Sequence, residues 1–413
     1  MKIYLKIKLL PPTLRRNSFM LTADYTNILL DLKDALITKI ITTDGNITIF
    51  IEQERMPHHC PDCSAKTERV HDYRYQKVKD ISIQAKHVVL MLRKRHYVCG
   101  TCRKRFLEKN QLVAKYQRMT QRLQRYLLSR FAQTCSIKSI AQQCNCSVST
   151  AARHFEKVSY PKPCLSPVLA IDEFKGNAGG HKFQCIVSDP KKKKMLDILP
   201  TRNSEDLYAY FTSFSMEERL KVEYIVMDMS ALFASVAKRC FPKAKIVADK
   251  FHVARLANWA MEFVRKEEQK KFASCRRIYF KRSRWILLSR QYKLKDSEKI
   301  QLANLLTVSD PLRKAYRLKE EFYEILNSSS HKDMIQRWKL WQDHVGKAGL
   351  PSFERFMQTV SKWSKAVINA AKTGYSNGFT EGCNNRIKVL KRVSYGVQNF
   401  ARFRNRILYI VNS

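Results

Sequence analysis

The clearest hydrophobic pattern is a series of short apolar runs in the middle of the chain. PVLAIDEF, FQCIVSD and KMLDILP, at residues 167–174, 183–189 and 194–200, predict three strands of a meander. VEYIVMDM at residues 222–229 and KIVAD at residues 245–249 are almost continuously apolar, as expected of strands buried on both faces. The pattern therefore predicts five strands.

Amphipathic segments separate the later strands and predict helices. SEDLYAYFTSF opens with Ser204 before the fourth strand, ALFASVAKRCF follows that strand, and FHVARLANWAMEF follows the fifth. The order β-β-β-α-β-α-β-α predicts a mixed sheet with helices on both faces. It is the element order of the ribonuclease H-like fold, in which the first and fourth strands are neighbours.

Helical patterns dominate the rest of the chain. Residues 261–372 contain basic helical segments with interleaved aromatic residues, such as RRIYFKRSRWILLSRQYKLK, and predict a helical insertion. This region is either a solvated surface or a surface that grips a polyanion. YSNGFTEGCNNRIKVLKR, at residues 375–392, predicts a turn and then a helix with a basic face, with Thr380 as its N-cap.

A second helical pattern lies upstream of the strands. Residues 136–158, SIKSIAQQCNCSVSTAARHFEKV, predict two short helices around a turn at Asn145, as in a helix-turn-helix. A generic helical hairpin is the alternative. In the helix-turn-helix interpretation, Ser149, Thr150 and Arg153 are the base-facing candidates.

The charge of the chain indicates its partner. Lys and Arg number 77 against 36 Asp and Glu in 413 residues, a formal net charge of +41, while 45% of residues are hydrophobic. A folded protein with this charge is expected to bind a polyanion. No apolar run reaches the roughly 18 residues of a membrane span. We therefore expect a cytoplasmic protein that binds nucleic acid and no membrane.

Four of the twelve cysteines form two CxxC pairs, Cys60–Cys63 and Cys99–Cys102. Four thiolates from two tight turns suit a tetrahedral structural Zn²⁺, and strand-like sequence between the pairs predicts a zinc ribbon with an extended hairpin. The alternative is four free cysteines. Four cysteines suffice for such a site, although a nearby histidine could replace one thiolate. The nearby histidines are His58, His59, His71 and His96.

Carboxylates at the ends of predicted elements suggest a second metal site. Asp172 and Asp228 lie on the predicted neighbouring strands, and Glu381 opens the last helix. Two aspartates about 4 Å apart repel by about 4 kcal/mol at an effective dielectric constant of about 20, so the pair requires a proton or a cation. Mg²⁺ prefers such oxygen ligands. Taken alone, Glu381 also fits a charge that offsets the helix dipole.

The chain resembles the DDE transposases of the bacterial insertion-sequence family ISL3 over roughly residues 55–413. The motifs that carry the resemblance are AIDEF around Asp172, VMDMS around Asp228, VADKFHV at residues 247–253, and SNGFTEGCNNRIKVLKRVSYG around Glu381. The CxxC pairs and the helix-turn-helix pattern match the organisation of that family.

The resemblance implies metal-dependent cleavage and joining of double-stranded DNA at transposon ends and target sites, by a homo-oligomer on DNA. Asp172, Asp228 and Glu381 take the catalytic positions and hold Mg²⁺ or Mn²⁺, and Asp249 and His252 are supporting residues. The continuing face of the last helix, Asn385, Lys388 and Arg392, is expected to follow the DNA backbone.

These expectations divide the chain into six parts. They are an N-terminal extension (1–50), a zinc-ribbon-like module (51–110), a helix-turn-helix (111–160), a ribonuclease H-like core (164–260), a basic helical insertion (261–372) and a segment with the last catalytic helix (373–413). Two rival functions share some of these parts. One is a ribonuclease H-like nuclease, and the other is a catalytically inactive DNA-binding regulator derived from a transposase.

Overall fold

The computed structural model describes residues 35–109, 113, 117–328 and 330–413. The chain divides into two compact units between Ser159 and Tyr160. Most of the N-terminal extension that we expected, residues 1–34, lies outside the described residues. In the described part of the chain, no helix combines the length and apolar character that a membrane crossing requires.

The first unit is built on a five-stranded sheet in the order β1-β2-β6-β5, with β7 pairing with β6, and a separate β3-β4 ladder. The long antiparallel hairpin of β5 and β6 separates the two CxxC pairs. The sheet begins upstream of residue 51, where we placed the start of the zinc-ribbon-like module, because β1 and β2 belong to it. The strands are β1 Ala35–Thr42, β2 Asn46–Gln53, β3 His58–His59, β4 Lys66–Thr67, β5 Val70–Ile83, β6 Lys86–Val98 and β7 Arg105–Leu107.

Three short helices follow in the same unit, α1 Gln121–Phe131, α2 Ile137–Gln143 and α3 Val148–Glu156. The turn between α2 and α3 contains Asn145 at φ 47°, a left-handed conformation that asparagine tolerates better than most residues. Ser147 caps α3 by accepting a hydrogen bond from the Thr150 N–H. The predicted helix-turn-helix geometry is therefore present, with asparagine where glycine is commoner.

The second unit contains the predicted mixed sheet, in the order β10-β9-β8-β11-β12. Pairs β10-β9 and β9-β8 are antiparallel, whereas β8-β11 and β11-β12 are parallel. The first and fourth strands of this unit are neighbours, as predicted. The strands are β8 Val168–Lys175, β9 Phe183–Asp189, β10 Lys194–Leu199, β11 Tyr224–Met227 and β12 Lys245–Ala248.

Helices cover both faces of this sheet because its strands are apolar on both sides. Leu169 and Ile171 pack with Phe211 and Phe233 on one face. The strand residues between them in sequence point to the other face, where they pack against three later helices. The first face carries α4 Ser204–Thr212 and α6 Ala231–Cys240, with α5 Met216–Leu220 between them in sequence; the second carries α14 Ser364–Thr373, α15 Gly378–Val393 and α16 Phe400–Asn412.

A largely helical body lies between β12 and α14 in sequence. Its core is rich in aromatic residues, including Phe322, Trp341 and Phe356. The same core contains apolar residues of α7, the helix that follows β12 directly. The helices are α7 Lys250–Lys270, α8 Ser274–Arg282, α9 Arg284–Leu288, α10 Asp296–Val308, α11 Asp310–Leu326, α12 His331–Ala348 and α13 Pro351–Lys362. Because α7 runs unbroken through residue 261, the boundary that we expected between the core and the helical insertion falls within one helix.

Candidate functional site

Two aspartates lie level with each other on neighbouring parallel strands. The β8-β11 register pairs Tyr224 with Val168 and Val226 with Ala170. Two residues further along, the same register brings Asp228 level with Asp172. Neighbouring strands are about 4.8 Å apart, so these carboxylates share one edge of the sheet.

A third aspartate extends this row. In the β11-β12 register Met227 pairs with Ala248, so Asp249 follows at the level of Asp228, and its N–H donates to the Met227 carbonyl at 2.9 Å. The Asp249 side chain is fully buried and accepts a hydrogen bond from His252 Nδ1 at 2.8 Å. Asp249 and His252 therefore form a pair at the start of α7, beside the two other aspartates.

Glu381 lies in the first turn of α15, and two hydrogen bonds from other residues of this segment hold the helix beside the aspartates. The Asn377 N–H donates to Asp249 Oδ1 at 3.1 Å, and Asn384 Nδ2 donates to Asp172 Oδ2 at 2.9 Å. Our expectation that Thr380 caps this helix was wrong. The helix begins at Gly378, and the buried Thr380 hydroxyl is hydrogen-bonded to Ser188 at 2.8 Å, which ties α15 to β9.

Burial makes ionisation of these carboxylates unfavourable. It raises the pKa of Asp172 to about 6, with further increases from Asp228 and Asp249, and it also raises the pKa of Asp228. The pKa of Glu381 is raised by burial and then by the Asp249 charge. The hydrogen bond to Asp249 raises the pKa of His252. A bound cation would stabilise the ionised form of such buried carboxylates.

The donor set fits a hard divalent cation. Carboxylate oxygens are the ligands that Mg²⁺ and Mn²⁺ prefer, and Asp228 Oδ1 is buried with no hydrogen-bond partner among the described residues. Asp172, Asp228 and Glu381 are not, however, among the described groups of three side chains whose ligand atoms all lie within 4.8 Å of one another. In this conformation the three carboxylates lie in one region, but their ligand atoms do not all lie within 4.8 Å of one another.

Two residues at this site were not identified from the sequence. Asn384 binds Asp172, and the positive charge of Arg255 lowers the pKa of both Asp228 and Glu381 against the larger effect of burial. Both positions carried a signal, because Asn384 is three residues after Glu381 and Arg255 three after His252, which are neighbouring positions on a helix surface. The predicted backbone-binding residues of α15, Asn385, Lys388 and Arg392, are exposed.

The four cysteines of the first unit form a compact group. Their sulfurs all lie within 4.8 Å of one another, and the Cys60–Cys102 and Cys63–Cys99 Sγ distances are both 3.5 Å. In a tetrahedral Zn²⁺ site with bonds of about 2.3 Å, thiolate sulfurs lie about 3.8 Å apart, close to these values. The Cys102 N–H, directed at Cys99, lowers the pKa of the Cys99 thiol to about 6. The group fits a structural Zn²⁺ without any histidine ligand.

Basic residues line a cavity of about 590 Å³ on the first unit. Such a concave basic surface suits the phosphates of a nucleic acid backbone. Five of the lining residues are cationic, namely Arg74, Lys77, Lys79, Lys94 and Arg118.

The base-facing candidates lie at the start of α3. Ser149 and Arg153 are exposed and Thr150 is partly buried. The Ser149 and Thr150 hydroxyls are hydrogen-bonded to the capping Ser147 hydroxyl, at 3.0 and 2.8 Å. Buried Ala141 and Ala151 allow α2 and α3 to approach closely. The end of α3 that would enter a DNA groove is therefore accessible.

Comparisons with known proteins match nearly all of the described chain. A family model described as a transposase, of the ISL3 type, matches residues 169–407. A model described as the zinc-finger of transposase IS204/IS1001/IS1096/IS1165 matches residues 56–102, and one described as the helix-turn-helix domain of transposase family ISL3 matches residues 108–158.

Two curated relatives are transposases of insertion sequences. The transposase for element IS1001 of Bordetella parapertussis is 27% identical over 372 residues, which cover 86% of this chain and 88% of the relative. The transposase for element IS1557 of Mycobacterium tuberculosis is 21% identical over 247 residues, covering 53% of this chain and 54% of the relative.

Proposed function

This chain belongs to the ISL3 family of transposases, and we propose that it binds the ends of an insertion sequence and performs metal-dependent strand cleavage and strand transfer there. The observation that carries the proposal is the row of aspartates on three adjacent strands, with the Glu381 helix hydrogen-bonded to two of them.

We infer that the second unit is a ribonuclease H-like catalytic domain. The strand order β10-β9-β8-β11-β12, with the first three strands antiparallel and the others parallel, supports this assignment. In the proposed division, residues 164–260 form the core, residues 261–372 are a basic helical insertion, and residues 373–413 return the last catalytic helix to the sheet.

Asp172, Asp228 and Glu381 would hold the catalytic Mg²⁺ or Mn²⁺. When bound, two such ions supply an activated water or 3′-hydroxyl and neutralise the leaving oxygen. The protein's own groups orient these carboxylates: Asn384 fixes one oxygen of Asp172, and Asp249 anchors the start of α15 through the Asn377 N–H. The pair of Asp249 and His252 is a supporting element of this arrangement.

DNA recognition is assigned to separate surfaces. The helix-turn-helix would read the terminal sequence through Ser149, Thr150 and Arg153, and the zinc ribbon would contact phosphates through its basic cavity. Asn385, Lys388 and Arg392 would lie along the backbone near the cut strand. We propose that the protein acts as a homo-oligomer on transposon ends and target DNA in the bacterial cytoplasm.

The test is cleavage of a labelled duplex carrying the element's own end, with Mg²⁺, by the wild type and by Glu381→Gln. Glu223→Gln is the matched control, because Glu223 is exposed and immediately precedes β11, at the end opposite Asp228. We expect the wild type and the control to nick at the end, and Glu381→Gln to bind the end without cutting.

The outcomes separate this proposal from its rivals. Cleavage without preference for the element's end would indicate a ribonuclease H-like nuclease. Specific binding by the wild type without cleavage under either metal would indicate an inactive DNA-binding regulator. Cleavage by Glu381→Gln at the wild-type rate would remove Glu381 from the active site.

A further inference from the structure

A second group of metal-ligand side chains lies on the β5-β6 hairpin. Apart from the four cysteines, the described residues contain one group of three whose ligand atoms all lie within 4.8 Å of one another, His71, Asp72 and His96. The four-cysteine group is complete without them. These residues are therefore available for a different role.

A β-bulge brings the three side chains together. Val70 pairs with Tyr97 and Asp72 pairs with His96, so His71 is an extra residue on β5. In a regular strand, successive side chains point to opposite faces. The bulge redirects one side chain, as bulges commonly do, and places His71 and Asp72 beside the same partner, His96.

The Asp72 carboxylate lies between the two imidazoles, with one oxygen near each ring. His71 Nδ1 lies 3.4 Å from Asp72 Oδ2, and His96 Nδ1 lies 3.1 Å from Asp72 Oδ1. Taking one ligand atom from each residue, the three atoms lie within 4.8 Å of one another, and a Zn²⁺ ion with bonds of about 2.0–2.1 Å would draw them to about 3.3 Å apart. The two imidazole rings are 5.9 Å apart between centroids and nearly perpendicular, so both face the carboxylate without stacking on each other.

The ligand types select the metal class. Two imidazoles and one carboxylate favour Zn²⁺, Co²⁺ or Ni²⁺ over Mg²⁺, which prefers oxygen ligands. The side chains of His71, Asp72 and His96 are 34%, 41% and 17% exposed, so water can fill the fourth position. Three protein ligands with one open position differ from the closed four-ligand site of the cysteines.

The surrounding charge affects the expected affinity. The cross-strand pair Arg74 and Lys94 lies two residues along from Asp72 and His96, on the same face of the hairpin. Their positive charge opposes cation binding. We therefore expect this group to bind Zn²⁺ more weakly than the four thiolates.

We propose that His71, Asp72 and His96 form a second transition-metal site, of the Zn²⁺ type, that pins the bulge of the β5-β6 hairpin. This inference does not depend on the proposed catalytic function, because the ligands belong to the first unit and include no residue of the aspartate row.

The test is to measure, by equilibrium dialysis, how much Zn²⁺ the full-length chain binds. Excess Mg²⁺ is present so that it occupies the carboxylate sites. We expect two equivalents per chain for the wild type and one for each of His71→Asn, Asp72→Asn and His96→Asn. His87→Asn is the matched control, because His87 lies on the same β6 strand and contacts Ser82 instead of the group. It should retain two equivalents.

A second readout establishes that the variants fold. Co²⁺ bound by the four cysteines gives a thiolate charge-transfer band, which the histidine-aspartate group cannot give, so this band should be equal in all variants. With the four-cysteine site already filled by one equivalent, hydrogen exchange of the hairpin amides near the bulge should slow on addition of the second Zn²⁺ equivalent in the wild type and in His87→Asn only. If His96→Asn loses the cobalt band, the His71→Asn and Asp72→Asn substitutions, whose side chains are more exposed than that of His96, decide the question.

Two results would overturn the proposal. Unchanged stoichiometry in all three variants would mean that the group is only a hydrogen-bonded cluster. An equal loss in His87→Asn would mean that the additional Zn²⁺ binds surface histidines without a defined site.

Discussion

Replacing Asp172 by asparagine should stabilise the magnesium-free protein while abolishing cleavage. Burial raises the pKa of Asp172 from its ordinary value of 3.8 to about 6. A carboxyl group whose pKa is higher in the folded state stabilises the fold when it is protonated, and this contribution is lost as pH rises through about 6. At pH 7 the folded protein therefore carries an unfavourable buried charge, which asparagine removes.

The magnitude follows from the pKa difference. A shift from 3.8 to about 6 corresponds to a cost of about 3 kcal/mol at pH 7 and to roughly half of that at pH 5. Asparagine keeps one oxygen where Asp172 accepts hydrogen bonds at both, from the Glu173 N–H and from Asn384, so one bond of about 1 kcal/mol is at risk. The net expected gain at pH 7 is about 2 kcal/mol.

Tryptophan fluorescence isolates the relevant unit, because all five tryptophans follow residue 160. For a unit of this size, a gain of about 2 kcal/mol corresponds to a rise in melting temperature of about 4–8 °C. The buffer should lack Mg²⁺ but contain no chelator, since a chelator would also remove zinc from the cysteines. Glu223→Gln is the control and should melt like the wild type.

Magnesium provides the counterpart measurement. Mg²⁺ should raise the melting temperature of the wild type, because an ion that binds only the folded state stabilises it, and should have little effect on Asp172→Asn. The reasoning is refuted if Asp172→Asn is less stable than the wild type at pH 7, or if the stability difference between them does not shrink from pH 7 to pH 5.

Three further predictions concern other parts of the chain. Asn145→Val should destabilise the first unit by about 1 kcal/mol in urea unfolding, because a β-branched residue is strained at φ 47°, whereas Asn145→Gly should be tolerated. Lys388→Ala should reduce the slope of log affinity against log salt concentration by about 0.9 in DNA-binding titrations, and an unchanged slope would exclude a phosphate contact. Cys99→Ser should lower zinc content and the stability of the first unit, measured by metal analysis and circular dichroism, with Cys164→Ser, an exposed free cysteine, as its control.

The sheet of the second unit could be predicted from sequence because its strands are buried on both faces. Such strands read as continuous apolar runs, and their order fixed Asp172 and Asp228 as neighbours. Strand β12 is parallel to β11 and ends at the same edge, so Asp249 extends the row at the level of Asp228. That placement required the register between two strands, which the apolar pattern alone does not supply.

The upstream strands were missed for the opposite reason. Strand β1 lies at the edge of its sheet and is mostly exposed, so its apolar pattern is weak. Strand β2 carried a usable signal, since Ile47, Ile49 and Ile51 fall on alternate positions, although Phe50 between them is also apolar. The helix-turn-helix was easier to recognise, because Ser136 and Ser147 cap helices whose apolar faces follow the helical period.

The contact between Asn384 and Asp172 could not be read from the sequence, because it depends on how α15 is rotated against the sheet. That rotation is set by tertiary contacts such as the buried hydrogen bond between Thr380 and Ser188. The chain around Glu381 explains why Thr380 is not a cap: its hydroxyl is committed to β9, and the helix starts two residues earlier. Local capping rules fail where a side chain is needed for packing between elements.

The position of Glu381 distinguishes the two roles that a glutamate can have in the first turn of a helix. A carboxylate that only offsets the helix dipole is stabilised in its charged form, so its pKa should fall. The pKa of Glu381 is instead raised, first by burial and then by the Asp249 charge. Asp172 and Asp228 share this property, since burial is the main cause of the increase in each. Ionisation of the three carboxylates is unfavourable in this region, and the divalent cation that we propose would offset this effect. The raised pKa of Glu381 therefore supports our proposal that it holds a metal ion, rather than a role limited to helix stability.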